Sequence, residues 1–153
     1  MRRSGDGFVR GADGHVRWGR FGAAGIVFVT GGPSDRRVLL QLRSAFAHEG
    51  GTWSIPGGAL DEGETPLEGG LREASEEVGA LPADIEVLGE HRFAPDPGWS
   101  YTTIVVSVPE PFGEAANFES DAVEWVGLDA VDDRPLHAGF AAAWPHLRLL
   151  AEP

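Results

Sequence analysis

Residues 58–80 constrain the fold of this chain more strongly than any other stretch. Thr65 is suited to be a helix N-cap, Pro66 then takes the first helical position, and Glu68 stands where a capping box requires an acidic residue. Gly79 stands where helices commonly end in a left-handed C-terminal cap. The stretch therefore predicts a helix that begins at Pro66 and ends at Gly79.

The predicted helix has two distinct faces. At 100° per residue, four apolar side chains fall on one stripe: Leu67, Leu71, Ala74 and Val78. Three carboxylates share another face: Glu73, Glu76 and Glu77. Like charges at this spacing cost roughly 0.2–0.5 kcal/mol per pair, and Arg72 relieves only part of that cost. A solvated acidic surface is one interpretation. A bound Mg²⁺ explains the absence of interleaved basic residues better, because Mg²⁺ prefers carboxylates together with phosphate oxygens.

The same stretch resembles the Nudix box, a motif of fixed spacing between glycine, glutamate and arginine positions. The matching residues are Gly58, Glu64, Arg72-Glu73, Ala74, Glu76-Glu77, Gly79 and Ala80. Ala80 is smaller than the Ile, Leu or Val often found there, which affects packing and not chemistry. The resemblance covers the box directly and, more loosely, most of residues 20–130.

The resemblance implies a chemistry and a set of roles. Nudix enzymes cleave a nucleoside diphosphate linked to another group by attack of water on phosphorus, with Mg²⁺ as cofactor and Mn²⁺ as a substitute. The implied metal ligands are Glu73, Glu76, Glu77 and a carbonyl at Gly58. Arg72 is expected to pair with Glu64 and to hold the box loop against the helix. Glu68 is expected only to cap the helix.

Further site residues are expected outside the box. In the family a general base or an additional ligand often comes from a later loop, and Glu119 is the candidate here, although this loop could also be a solvated acidic segment. A glutamate of the box is the alternative base. Trp99 and Tyr101 are candidates for binding a nucleobase. Arg43 is a candidate for contacting phosphates, with a purely structural role equally open.

The charge composition excludes several functions. The net charge is −12, all 12 basic residues are Arg, and Lys and Cys are absent. A phosphate-loop lysine, a Schiff-base lysine and Cys-ligated metals are therefore excluded. The acidic balance argues against binding a nucleic-acid polymer, which needs a basic surface. No apolar run approaches the ~18 residues of a membrane span, and no secretory signal is recognised, so we expect a cytoplasmic protein without a membrane partner.

The remaining pattern predicts an α/β protein with a single domain over residues 1–153. A hairpin is expected within residues 1–20 and a helix over 136–152, with Pro145 expected to kink or break it. Residues 111–124 are expected to form an acidic loop. Strands are expected at 21–30, 38–44, 85–93, 101–109 and 125–128. This order agrees with the fold that the resemblance implies, the Nudix α/β/α sandwich with a mixed β-sheet.

The substrate remains open at this stage. The compact length favours a MutT-like enzyme that acts on nucleoside triphosphates, on an analogy of size alone. ADP-sugar and dinucleoside polyphosphate hydrolases share the box and are the alternatives. A non-catalytic nucleotide-binding module with the same fold is the alternative of another class, and the intact carboxylates of the box disfavour it. A homodimer is compatible with the sequence.

Overall fold

The computed structural model describes residues 3–45, 49–115 and 120–153. The strands, in chain order, are β1 (Phe8–Arg10), β2 (Val16–Trp18), β3 (Ala23–Thr30), β4 (Arg37–Arg43), β5 (Trp53–Ser54), β6 (Gly57–Ala59), β7 (Glu86–Asp96), β8 (Trp99–Ser107) and β9 (Ser120–Gly127). The α-helices are α1 (Pro66–Val78) and α2 (Ala138–Ala151), and a 3₁₀ helix spans Leu128–Asp133. In these ranges no helix has the length and apolar character needed to cross a bilayer.

One mixed sheet forms the centre of the fold. β3 is buried along its whole length, which explains its near-continuous apolar sequence. It pairs in parallel with β8, which pairs in turn with β7, while β9 runs antiparallel along β4. β3 and β4 pair only at Val29 with Val38 and at Thr30 with Arg37. Beyond these pairs the two strands separate, and β5 lies against β4 while β6 lies against β3.

The two helices cover opposite faces of this sheet. On one face, Ile26 and Phe28 of β3 pack against Ala74 and Val78 of α1. On the other face, Val27 and Val29 of β3 pack against α2. The α2 side chains in this second core are Phe140, Trp144 and Leu147. The alternation along a single strand thus supplies two cores, because successive side chains point to opposite faces. The predicted α/β/α sandwich with a mixed sheet is confirmed.

Most of the predicted elements are present. β1 and β2 form the predicted hairpin, with Phe8 opposite Trp18. Helix α1 begins at Pro66 as predicted and ends immediately before Gly79. Gly79 has the positive φ expected of a glycine cap, at 88°, but its ψ of −167° is extended, so the left-handed cap predicted there is wrong in detail.

The structure differs from the prediction in two places. The acidic loop predicted over 111–124 is too long, because β9 begins at Ser120 and pairs with β4 from Arg43 onward. Its acidic residues are tolerated because the strand lies at the edge of the sheet. Pro145 does not break α2, which is continuous from Ala138 to Ala151. The buried side chains of Trp144 and Leu147 anchor the helix on both sides of Pro145 and outweigh its cost of about 3 kcal/mol.

Candidate active site

A cleft opens where β3 and β4 separate and continues along the sheet towards α2. Its volume is about 1260 Å³, which is enough for a nucleotide, since ligand pockets commonly measure roughly 300–1,000 Å³. Glu73, Glu76 and Glu77 line one end of it, beside Gly57 and Gly58. The acidic face predicted for the helix therefore opens onto this cleft, and not onto bulk solvent alone.

The start of α1 fixes which side chains reach the cleft. The backbone N–H of Glu68 donates to Oγ1 of Thr65 at 3.1 Å, and the backbone N–H of Thr65 donates to Oε1 of Glu68 at 2.9 Å. This reciprocal pair is the predicted capping box, so the expectation that Glu68 caps the helix is confirmed. Because the first turn is held in register, the carboxylates two and three turns later have defined directions.

Glu77 is the most constrained of the three carboxylates. Its side chain is buried, with 5% of the residue exposed. The backbone N–H of Gly57 in β6 donates to Oε2 at 2.8 Å, and Nε2 of Gln41 in β4 donates to Oε1 at 3.5 Å. Glu77 thus links β4 to β6, the short strand that pairs with β3 where β3 and β4 separate. A buried carboxylate is costly unless donors compensate it, and these contacts supply that compensation.

The Glu73 side chain extends from α1 towards β6 and is largely buried. Burial raises the pKa of the Glu73 carboxyl to about 7, and the nearby charge of Glu76 adds to this increase, whereas the hydrogen bond from Arg72 opposes it. The carboxyl group packs directly against the α-carbon of Gly58. A Cβ atom at Gly58 would lie 2.5 Å from Cδ of Glu73. The glycine is therefore required for the close approach of backbone and carboxylate.

Arg72 connects the helix to the loop that precedes it. Its Nε donates to Oε2 of Glu64 at 2.9 Å and its Nη2 to Oε1 of Glu64 at 3.0 Å, which is a bidentate ion pair. Nη2 also donates to the carbonyl of Ala59, and Nη1 donates to Glu73, both at 3.0 Å. The predicted contact between Arg72 and Glu64 is present. These hydrogen bonds raise the pKa of the Arg72 guanidinium, which keeps it charged.

The carboxylates suit a hard cation by their chemistry and by their position. Within the described ranges, no group of three acidic, histidine or cysteine side chains converges into a finished coordination shell. Glu77 accepts from Gly57 and Gln41, Glu73 accepts from Arg72, and Glu76 is about half exposed. All three present oxygen atoms to one end of the cleft, which is the donor type that Mg²⁺ prefers.

The other predicted site residues have different surroundings. Glu119 lies outside the described residues. Arg43 lines the cleft, and its contact with phosphates stays a prediction. The indole of Trp99 donates to the carbonyl of Trp18 at 3.1 Å, and the guanidinium of Arg17 lies over its ring at 5.4 Å. Trp99 therefore already stacks with a cation on one face.

Tyr101 lies at the floor of the cleft. A Cβ atom at Gly25 would lie 2.3 Å from the Tyr101 hydroxyl, and one at Gly57 would lie 3.0 Å from it. Burial and the neighbouring charge of Glu77 raise the pKa of the Tyr101 phenol, so it is a neutral hydroxyl at physiological pH. The Tyr101 hydroxyl lies close to Gly25 and Gly57, so it is placed to make a polar contact beside the carboxylates. Binding of a nucleobase by Tyr101 stays a prediction.

The sequence reasoning missed several residues that line this cleft. Asp6 lines it beside the box glutamates and adds to the negative field at Glu73. Gln41 and Thr103 line it from two strands, and both are buried. His91 and His146 line its far end with their rings stacked at 4.6 Å and 8°. Only Gln41 carries a sequence signal, as a polar residue within the apolar run of β4.

Substituting Ala for Gly58 tests the close packing against Glu73. The added methyl group would contact the Glu73 carboxyl at 2.5 Å, so the side chain has to move away from the cleft. We expect the variant to fold and to lose activity by at least tenfold. Circular dichroism and steady-state kinetics measure the two effects, and Gly127→Ala is the control because open space surrounds that position. Wild-type activity of Gly58→Ala would contradict the need for this contact.

A mixed sheet between two helices, with a glutamate-rich helix opening onto a cleft, defines an α/β/α sandwich with an acidic site at one end of its cleft. The NUDIX domain family matches residues 19–147 of this chain. The chain belongs to this family and is a Nudix hydrolase.

Individual relatives agree with this assignment. The chain is 42% identical over 154 residues to the putative 8-oxo-dGTP diphosphatase 3 of Mycobacterium tuberculosis (strain ATCC 25618 / H37Rv), which covers 97% of this chain and 71% of the relative. The crystal structure of RenU, a Nudix hydrolase from M. smegmatis, has a TM-score of 0.85 and 40% identity, covering 95% of this chain and 94% of that one. The NUDIX domain of Shewanella oneidensis NrtR, solved with ADP ribose, shares the fold at a TM-score of 0.65 and 22% identity, covering 87% and 89% of the two chains.

Proposed function

We propose that this protein is a divalent-cation-dependent pyrophosphohydrolase of nucleoside triphosphates, with 8-oxo-dGTP as the first substrate to test. The observation that carries the proposal is the complete set of box carboxylates at one end of a nucleotide-sized cleft. The identity of 42% to a putative 8-oxo-dGTP diphosphatase supports this substrate class over the others. Mg²⁺ is the proposed cofactor, and Mn²⁺ is its substitute.

Three glutamates and one backbone carbonyl would hold the cation: Glu73, Glu76, Glu77 and the carbonyl of Gly58. The cation supplies charge neutralisation at the phosphoryl oxygens when it is bound. Arg72 and Glu64 act on the site by holding the loop and the helix together. Glu119 and a glutamate of the box remain the two candidates for the base that accepts the proton of the attacking water.

The cleft beyond the carboxylates is proposed to receive the base and sugar. Its lining combines apolar residues of α2 with Tyr101, Thr103 and the stacked imidazoles of His91 and His146. Flat apolar surfaces with a few hydrogen-bonding groups are what a purine requires. Arg43 lies along the same cleft and is proposed to contact phosphates. Trp99 stays a candidate for binding a nucleobase.

Other substrates are the second possibility. ADP-sugar and dinucleoside polyphosphate hydrolases would use the same carboxylates, and relatives of known fold include an Ap4A hydrolase from C. elegans. A non-catalytic nucleotide-binding module is the remaining alternative. An intact box argues against that module, because it keeps all the carboxylates proposed for hydrolysis. A single domain over 1–153, a cytoplasmic location and a homodimer stay predictions.

A turnover screen tests the proposal. Purified protein with Mg²⁺ is assayed against the eight common nucleoside triphosphates, 8-oxo-dGTP, ADP-ribose and dinucleoside polyphosphates, with release of phosphate and pyrophosphate as the readouts. We expect the highest kcat/KM for a triphosphate, abolition by EDTA and recovery with added Mg²⁺. Preference for ADP-ribose or a dinucleoside polyphosphate would replace the proposed substrate class. Tight nucleotide binding by calorimetry without any turnover would favour the binding module.

A further inference from the structure

Gln41 of β4 has a buried amide oxygen for which the described part of the protein offers no hydrogen-bond donor. The residue is only 3% exposed, and it pairs through its backbone with Ser54 of β5 and Val123 of β9. Its side chain lines the cleft next to Glu77. A buried acceptor without a donor is unfavourable for folding, so its presence requires an explanation.

The orientation of the Gln41 amide follows from the chemistry of its neighbour. The amide nitrogen of Gln41 faces Oε1 of Glu77 at 3.5 Å and donates to it. A carboxylate oxygen accepts such a hydrogen bond. Turning the amide over would place two oxygen atoms against each other. The unpartnered oxygen of Gln41 thus points away from Oε1 of Glu77, within the plane of the amide.

Packing alone does not require glutamine at this position. Leu39, on the same face of β4, is fully buried in the core beneath α1. Methionine has nearly the same shape as glutamine and would fill the space without a polar atom. Gly57 donates to Oε2 of Glu77 at 2.8 Å, whereas the amide nitrogen of Gln41 donates to the other oxygen, Oε1. Glutamine therefore adds both a donor to Glu77 and a buried acceptor.

We propose that Gln41 is a positioning residue for the cation site, resting on the proposed function above. Its amide nitrogen fixes the direction of the Glu77 carboxylate. Its amide oxygen accepts a hydrogen bond from a water of the hydration shell that Mg²⁺ retains when it binds to proteins. Outer contacts of this kind orient the ligands of a metal and commonly change its affinity by roughly 10- to 100-fold.

Gln41→Met and Gln41→Glu test the inference, with Mn²⁺ as the probe of the site. Gln41→Met removes both hydrogen-bonding atoms and keeps the shape. We expect its Tm in EDTA to stay close to that of the wild type, because removing a buried acceptor without a donor offsets the loss of the donor to Glu77. We expect its Kd for Mn²⁺, measured by titration calorimetry, to rise roughly 10-fold or more. Gln41→Glu keeps an acceptor oxygen and should retain Mn²⁺ binding, while losing Tm in EDTA from repulsion with Glu77.

The matched control is Leu39→Met, a buried substitution on the same strand and face that should leave the Kd for Mn²⁺ unchanged. A Gln41→Met protein with a lowered Tm and a wild-type Kd would overturn the inference and leave Gln41 a packing residue. If the wild type itself bound no Mn²⁺, the proposed cation site would fail and the inference with it. Wild-type Mn²⁺ binding and turnover together with an unaffected Gln41→Met variant would overturn the inference alone.

Discussion

Replacing Glu77 by Gln should lower kcat roughly 10²- to 10³-fold, the scale on which enzymes lose rate when one electrostatic contact to the transition state is removed. Gln has the shape of Glu, and its side-chain oxygen can still accept from the N–H of Gly57. The change therefore removes one negative charge from the cation site and little else. Steady-state kinetics on the best substrate of the screen measures the effect, and far-UV circular dichroism checks that the fold is intact.

The matched control for this experiment is Glu68→Gln on the same helix. Glu68 lies in the capping box, where Gln serves as well as Glu, so kcat should stay near that of the wild type. A comparable loss in both variants would point to a general effect of charge on α1. Near-wild-type turnover of Glu77→Gln would remove Glu77 from the proposed ligand set.

Mg²⁺ should raise the thermal stability of the protein substantially relative to EDTA. Without a cation, Glu73 and Glu76 repel each other, and Arg72 is the nearby basic group that offsets their charge. A cation that binds the folded site and not the unfolded chain adds about 2.7 kcal/mol at a concentration of 100 times its Kd. Thermal unfolding followed by circular dichroism measures the shift in Tm. The double variant Glu76→Gln/Glu77→Gln should lose most of this shift. Equal Mg²⁺ shifts in the wild type and the double variant would place the cation elsewhere.

The same site should make stability in EDTA depend on pH. The folded protein raises the pKa of Glu73 from 4.5 to about 7, so below pH 7 the folded state takes up a proton that the unfolded chain does not yet bind. The contribution of Glu73 to the free energy of unfolding therefore rises as pH falls from about 7 towards 4.5 and is lost as pH rises through 7. Glu73→Gln should flatten this dependence.

The features that the sequence predicted correctly depend on residues close together in the chain. The capping box, the proline at the first helical position and the apolar stripe of α1 depend on residues at most four positions apart, so they can be read directly from the chain. The buried strand β3 is predictable for the same reason, since an unbroken apolar run requires cover on both faces. The spacing of the box likewise places three carboxylates on one side of one helix before any tertiary contact is known.

The start of β9 and the course of α2 could not be predicted in this way. The acidic residues before Trp125 suggest a loop when they are considered alone, and only their pairing with β4 turns Ser120–Gly127 into a strand. Pro145 is unfavourable in an isolated helix, and only the burial of Trp144 and Leu147 against the sheet keeps the helix continuous. In both places packing between distant segments overrides the local preference.

The sequence by itself determined the family, the helix α1 and the identity of the carboxylates at the site, because all of these are encoded at short range. The tertiary structure alone decided how the three carboxylates differ. Glu77 is buried where β3 and β4 separate, Glu73 is pressed against Gly58, and Glu76 is half exposed. It also brought Gln41 beside Glu77, although the two lie 36 residues apart. Burial and hydrogen bonding depend on which segments meet in space, and helical spacing does not contain that information.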